Sequence, residues 1–318
     1  MSNQSQLDQL KKITKVVIDT GDIDSIKQYS PIDATTNPSL ILKASKKAEY
    51  LHLVEEAVHF SRAKFTGRRD WLLDKLFVNF GAEILKHIPG RVSTEVDAHL
   101  SFDIQKSIER AKRLVHLYEE IGIERDRILI KLASTWEGFK AAYALEKEGI
   151  HCNMTLLFSL PQAIEAGNAG VTLISPFVGR ILDWYKKNTK TESYPPELDP
   201  GVLSVRSIFN YYKYHKIPTV IMGASFRNTG EILELAGCDF LTIAPDLLLE
   251  LQTNTNKVEK KLDASHVEAV EKVHYDESHF RWELNQNEMA TEKLSEGIRN
   301  FAKDSSEMQD HLMKEYNL

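Results

Sequence analysis

Apolar and polar positions along this chain follow two alternating periods. Eight short segments are β-branched or apolar and end in polar residues or glycine: 16–21, 33–38, 91–97, 128–134, 152–158, 172–179, 219–225 and 240–245. Between them lie stretches with helical spacing. In 104–121 the residues Ile104, Ile108, Ala111, Leu114, Val115, Tyr118 and Ile121 recur three and four apart, which is one face of a helix. Residues 136–148 read as another helix, stopped by Gly149. Strands alternating with helices imply parallel strands joined by crossovers. Eight such units favour a closed α/β barrel, a (β/α)8 TIM barrel, over an open sheet.

Two connections exceed a minimal crossover. Residues 39–90 are rich in helix formers and predict two helices or more. Residues 180–218 contain Tyr194-Pro195-Pro196-Glu197 and Asp199-Pro200-Gly201, a loop signal between helices. Beyond the eighth strand, 246–318 is highly charged and reads as mostly helical, with Phe280, Trp282, Leu284, Met289 and Phe301 available to pack over the barrel. No linker or repeat divides the chain. The expectation is one domain over 1–318, with an N-terminal helix and a C-terminal helical extension packed on the barrel.

Composition narrows the function classes. With 318 residues, 42% apolar and 27% charged, the chain can bury a sizeable core. A net charge of −6 argues against general attraction to nucleic acid or to an anionic membrane, so an anionic substrate needs a local positive pocket. Residues 1–12 lack the apolar core of a signal peptide, and no run is long enough to cross a bilayer. Cys152 and Cys238 each sit in an apolar stretch and are expected as buried, reduced thiols. The expected compartment is cytoplasmic.

Active sites of such barrels sit at the C-terminal strand ends. In order, those ends carry Asp19 and Thr20; Thr35, Thr36 and Asn37; Glu95 and Asp97; Lys131 and Ser134; Asn153 and Thr155; Ser175, then Arg180; Ser225, then Arg227; and Pro245, then Asp246. Buried polar groups cost free energy unless paired, so polar residues on seven strands describe a pocket better than a structural barrel. Lys131 is the sharpest feature. Alternation puts it inside the barrel with Leu129 and Ala133, while Ile128, Ile130 and Leu132 face out. Desolvation disfavours an ammonium, and an uncharged amine attacks carbonyls. The plainer alternative is a structural lysine paired with Asp19 or Glu95. Glu95 and Asp97, two apart, are read as facing the same way, and Thr155 could relay protons between a carboxylate and substrate. Arg180 and Arg227 follow strands six and seven, where barrels often bind phosphate.

The sequence resembles the transaldolase family. The residues that carry this are Val17-Ile18-Asp19-Thr20-Gly21-Asp22, Asp33-Ala34-Thr35-Thr36-Asn37-Pro38-Ser39, Ser93-Thr94-Glu95-Val96-Asp97, Ile130-Lys131-Leu132-Ala133-Ser134-Thr135-Trp136-Glu137-Gly138 and Cys152-Asn153-Met154-Thr155-Leu156-Leu157-Phe158-Ser159. Ile174-Ser175-Pro176-Phe177-Val178-Gly179-Arg180-Ile181-Leu182-Asp183-Trp184 and Gly223-Ala224-Ser225-Phe226-Arg227-Asn228 complete the set. The resemblance implies dihydroxyacetone transfer from sedoheptulose 7-phosphate to glyceraldehyde 3-phosphate, without metal or other cofactor. It implies Lys131 as the Schiff-base lysine, Glu95 and Thr155 as proton carriers through a water, and Asp19 as the helper in carbon–carbon cleavage. Asn37, Asn153 and Ser175 would hold hydroxyls, and Arg180, Ser225 and Arg227 the phosphate. Fructose 6-phosphate aldolases share the barrel and lysine, but resemble this chain less, with glutamine in place of Glu95 and tyrosine in place of Phe177. A metal-dependent aldolase finds no histidine cluster at the strand ends, and a non-catalytic sugar-phosphate binder would not need Lys131, Glu95 and Thr155 together. The resemblance leaves a homodimer open, and no pattern marks an interface.

Overall fold

Alternation along each strand separates an outer surface for helices from an interior for chemistry. The computed structural model describes residues 4–64 and 68–318. Its strands are β1 (Lys15–Asp19), β2 (Ala34–Thr35), β3 (Val92–Glu95), β4 (Ile128–Ala133), β5 (Cys152–Leu157), β6 (Leu173–Pro176), β7 (Val220–Gly223) and β8 (Phe240–Ile243). Each pairs in parallel with the next, and β8 closes on β1. The expected (β/α)8 barrel is therefore what forms.

Outward residues such as Val16, Ile18, Ile130, Leu132, Ile174, Ile221 and Leu241 join the large core between strands and helices. Burying each large aliphatic side chain contributes about 1.5–3 kcal/mol before entropy is counted. Inward residues Val17, Leu129, Leu173 and Met222 form a separate apolar plug nearer the strand starts. Two residues further along the same strands, the interior turns polar.

The connection after β2 holds three helices, Pro38–Ser45, Leu51–Arg62 and Arg68–Leu85. The first starts where it does because Asn37 accepts the Leu40 N–H (3.0 Å) and Pro38 supplies a preset backbone angle. After β6 come the helices Gly179–Thr189 and Pro200–Tyr214, with the proline-marked loop between them.

The C-terminal region is mostly helical, as expected, but not throughout. Helices cover Pro245–Thr253, Glu277–Gln286 and Glu288–Glu315, but residues 254–276 contain none. That segment lays Val258, Val267, Val270, Val273 and Tyr275 on the core. Trp282 does not pack on the barrel either; it is 58% exposed. Its neighbour Phe280 is buried between Trp136 and Phe139.

The last helix reaches the barrel mouth. Met289, Leu294, Ile298 and Phe301 meet Leu156, Phe158 and Phe177. Leu156 turns outward because β5 shifts register after Met154 and Leu156 itself adopts a φ of 53°. Gly297 is what allows the contact, since a Cβ there would stand 2.5 Å from Leu156 Cδ2.

Candidate active site

Parallel register puts Glu95 opposite Lys131 and Lys131 opposite Asn153, so three functional groups stand at one level. Lys131 is 5% exposed and donates to the Thr36 carbonyl (2.9 Å). Glu95 Oε2 lies 3.0 Å from Lys131 Nζ in a buried ion pair and has no other polar partner among the described residues. On β1, Asp19 accepts from Thr35 (2.9 Å), which also meets Thr242 (2.8 Å). On the opposite wall Ser175 donates to Asn153 (2.6 Å), and Asn153 donates to Ser93 (3.1 Å).

Asp19, Thr35, Asn37, Lys131, Thr155, Ser175, Phe177, Arg180, Ala224, Ser225, Thr242 and Phe301 line a cavity of about 40 Å³ at the C-terminal end of the barrel. Larger cavities, such as one of about 650 Å³ beside Ile121 and Arg127, lie outside the barrel interior. Size ranks those first, but we assign the site to the small one because the convergent lysine, carboxylates and arginine are there.

Burial pushes the carboxyls of both Asp19 and Glu95 above the usual range, and the Lys131 charge pulls each back. Such groups can hold a proton where a free carboxylate would not. Thr155 Oγ1 is buried and has no hydrogen-bond partner among the described residues. An orphaned hydroxyl beside an ion pair costs free energy unless a ligand or water completes it. Arg180 stacks over Phe177 and Phe301, its guanidinium carbon 4.9 and 5.4 Å from the ring centres. Burial and the nearby Arg227 lower its pKa.

Nine of the residues read from sequence thus line the cavity: Asp19, Thr35, Asn37, Lys131, Thr155, Ser175, Phe177, Arg180 and Ser225. Glu95 and Asn153 touch that lining from behind. Arg227 is elsewhere: its guanidinium grips Asp183 through two nitrogens (2.7–3.2 Å). Asp97 does not stand beside Glu95 on a strand. It caps the short turn Ala98–Leu100 and pairs with His99 (2.8 Å). The eighth strand contributes Thr242, which precedes the expected Asp246. Alternation in Phe240-Leu241-Thr242-Ile243 could have found it, whereas Phe301, expected to pack over the barrel, gives no local sign that it reaches the cavity. Among the described residues the one group of three candidate metal ligands, Asp22, Asp24 and Glu49, is mostly exposed and lies off the cavity.

A closed parallel barrel with a lysine and two carboxylates inside its C-terminal mouth defines the class as a (β/α)8-barrel enzyme. The sequence profile described as Transaldolase/Fructose-6-phosphate aldolase matches residues 16–312. The chain belongs to that family. It is 60% identical over 319 residues to a transaldolase of Protochlamydia amoebophila, covering 99% of each chain. It is 58% identical to the human transaldolase, with 96% of this chain and 93% of the relative covered. A transaldolase of Histophilus somni is 55% identical, with 98% and 99% covered. Among the described residues no helix is long and apolar enough to cross a membrane.

Proposed function

We propose that this chain is a transaldolase of the non-oxidative pentose phosphate pathway. It transfers a dihydroxyacetone unit from sedoheptulose 7-phosphate to glyceraldehyde 3-phosphate, giving erythrose 4-phosphate and fructose 6-phosphate. The observation that carries this is the buried Lys131 amine, 3.0 Å from Glu95 at the barrel mouth.

Lys131 Nζ attacks the C2 carbonyl of the donor, and Glu95, through a water and Thr155 Oγ1, protonates the departing hydroxyl as water leaves. The resulting iminium accepts the electron pair of the C3–C4 bond while Asp19 takes the C4 hydroxyl proton. Erythrose 4-phosphate departs as an aldehyde. The three-carbon enamine stays bound until its carbon attacks the carbonyl of glyceraldehyde 3-phosphate, and Asp19 returns the proton to the new alkoxide. Water then hydrolyses the imine and frees Lys131. The raised carboxyl pKa values of Asp19 and Glu95 suit groups that alternate as acid and base. Asn37, Asn153 and Ser175 hold hydroxyls, and Phe177 backs the Arg180 guanidinium.

Arg180 and Ser225 bind the phosphate. Arg227 joins them only by leaving Asp183, so Arg180 has the larger share. A cavity of about 40 Å³ holds roughly one water, so a sugar phosphate enters as Phe301 and Arg180 shift.

The same reading takes 1–318 as one domain, since one apolar core runs from Leu7 to Leu312. It places the enzyme in the cytoplasm, in keeping with two free, buried cysteines. It leaves a homodimer open, which sedimentation would check.

Transfer is tested with fructose 6-phosphate as donor and erythrose 4-phosphate as acceptor. Sedoheptulose 7-phosphate should form, with little free dihydroxyacetone. Steady release of dihydroxyacetone without acceptor would make the enzyme an aldolase instead.

A further inference from the structure

Behind the cavity, two buried carboxyls meet that the chemistry above does not use. Glu231 lies in the first turn of the helix Thr229–Glu234 and has no exposed surface (0%). Asn228 accepts the Glu231 N–H (3.0 Å), and Glu231 Oε2 accepts the Arg227 N–H (2.7 Å). This is a capping box displaced by one residue. A capping glutamate is ordinarily solvated, but here Oε1 is buried with no donor among the described residues. It faces Asp199, also buried (2%), which caps the helix Pro200–Tyr214 by accepting from Gly201 N–H (2.7 Å) and Val202 N–H (3.3 Å). The two side chains lie within reach of each other.

Two touching carboxyls out of water cannot both stay ionised. One proton on Glu231 Oε1, donated to Asp199, satisfies the orphan oxygen and removes the repulsion. The other charges nearby do not replace it. Lys186 from the helix Gly179–Thr189 and the Arg227 charge act on the pair from outside. Arg206 and Lys261 are engaged by Glu234, and Glu250 of the helix Pro245–Thr253 accepts from Thr229.

The pair sits where two loops are tied. Glu231 holds the backbone of Arg227, two residues after Ser225, which adopts a φ of 60° at the cavity wall. Asp199 holds Gly201 against Val178, so closely that a Cβ there would stand 2.2 Å from the Val178 carbonyl oxygen. The loops are joined directly by Val178 N–H to Ala224 O (2.9 Å) and Gly179 N–H to Ser225 O (2.8 Å).

We propose that Glu231 and Asp199 share a single proton and act as positioning residues that clamp the β6 and β7 loops in the arrangement that binds the substrate's phosphate. The proposal rests on reading those loops as the phosphate site. Burial, with Asp199 adding to it, pushes the Glu231 carboxyl up to about 7. The pair titrates as a unit. Its proton is held below that pH and lost above it, whereupon two carboxylates repel and the loops part.

The probe is sulfate, a dianion throughout the working range, titrated calorimetrically into the full chain. Wild-type affinity should fall about fivefold or more between about pH 6 and about pH 9, a coupling of ordinary size. In Glu231→Gln the amide donates to Asp199 and accepts from Arg227 N–H as the acid does, so affinity should stay at its low-pH value throughout. Asp199→Asn supplies the same missing donor from the other side and should flatten the curve as well, which keeps the test alive if one variant folds poorly by circular dichroism. Glu231→Leu loses both bonds and should bind weakly at every pH. Variants that follow a falling wild-type curve, or a wild-type curve that is flat, would overturn the clamp while leaving the phosphate site intact. Sulfate binding that is absent, or indifferent to Arg180→Ala, would instead remove the phosphate reading, and the clamp with it.

Discussion

The lower and upper halves of the barrel interior differ by two residues along the same strands. On β1, β4, β6 and β7 the lower positions are Val17, Leu129, Leu173 and Met222, which need nothing but each other. Two residues on, Asp19, Lys131 and Ser175 face the cavity. Above Met222 stands Ala224, which leaves room where the others place chemistry. The lower layer stabilises; the upper layer leaves an ion pair, an orphaned hydroxyl and two raised carboxyls in a dry place. The backbone treats both layers alike, so the division between stability and reactivity lies entirely in side-chain chemistry.

The widest separation should come from Lys131→Met. The upper layer loses its nucleophile and transfer activity should drop by more than about a thousandfold, with the fold retained. Single-turnover assays and circular dichroism check both halves; activity within tenfold of wild type would contradict the assignment.

Glu95→Gln should cost about a hundredfold or more in kcat, in the range of general acid–base contributions. The sign of its pH dependence follows from the raised carboxyl. As pH falls through that raised pKa, Glu95 takes up a proton and the wild-type rate should decline above the pH where a free carboxylate would titrate. The variant should lack this limb in a pH–rate profile.

Leu129→Ala tests the lower layer. It should cost about 2–5 kcal/mol of stability in denaturant melts, because it opens a cavity in the plug, while kcat/KM of the folded enzyme changes little.

Lys131→Met combined with Glu95→Gln makes the upper layer resemble the lower. Replacing a buried ion pair with neutral groups is often neutral or stabilising by about 1–4 kcal/mol, so the inactive double variant should melt no lower than wild type. Glu95→Gln alone should melt lower, since it leaves the Lys131 charge unpaired.

Much of this division was legible in the sequence. Strand alternation alone put Lys131 inside and Ile130 outside, because burial on both faces leaves the pattern little freedom. The partner of Arg227 was not legible, because its loop position says nothing of Asp183, which comes from another helix and takes its guanidinium. Residues 246–318 read as mostly helical, and nothing local marked 254–276 as the stretch without a helix, which packs its valines on the core. Phe301 closes the mouth from the far end of the chain, a contact set by the bulge at Leu156 and the gap at Gly297. Long-range packing of that kind leaves no local period to read.

Covalent chemistry on Lys131 stands or falls on borohydride trapping. The protein is incubated with fructose 6-phosphate, reduced, digested and mapped by mass spectrometry. A reduced three-carbon adduct should appear on Lys131 and on no other lysine. Folded protein that yields no adduct, or an adduct elsewhere, would contradict it.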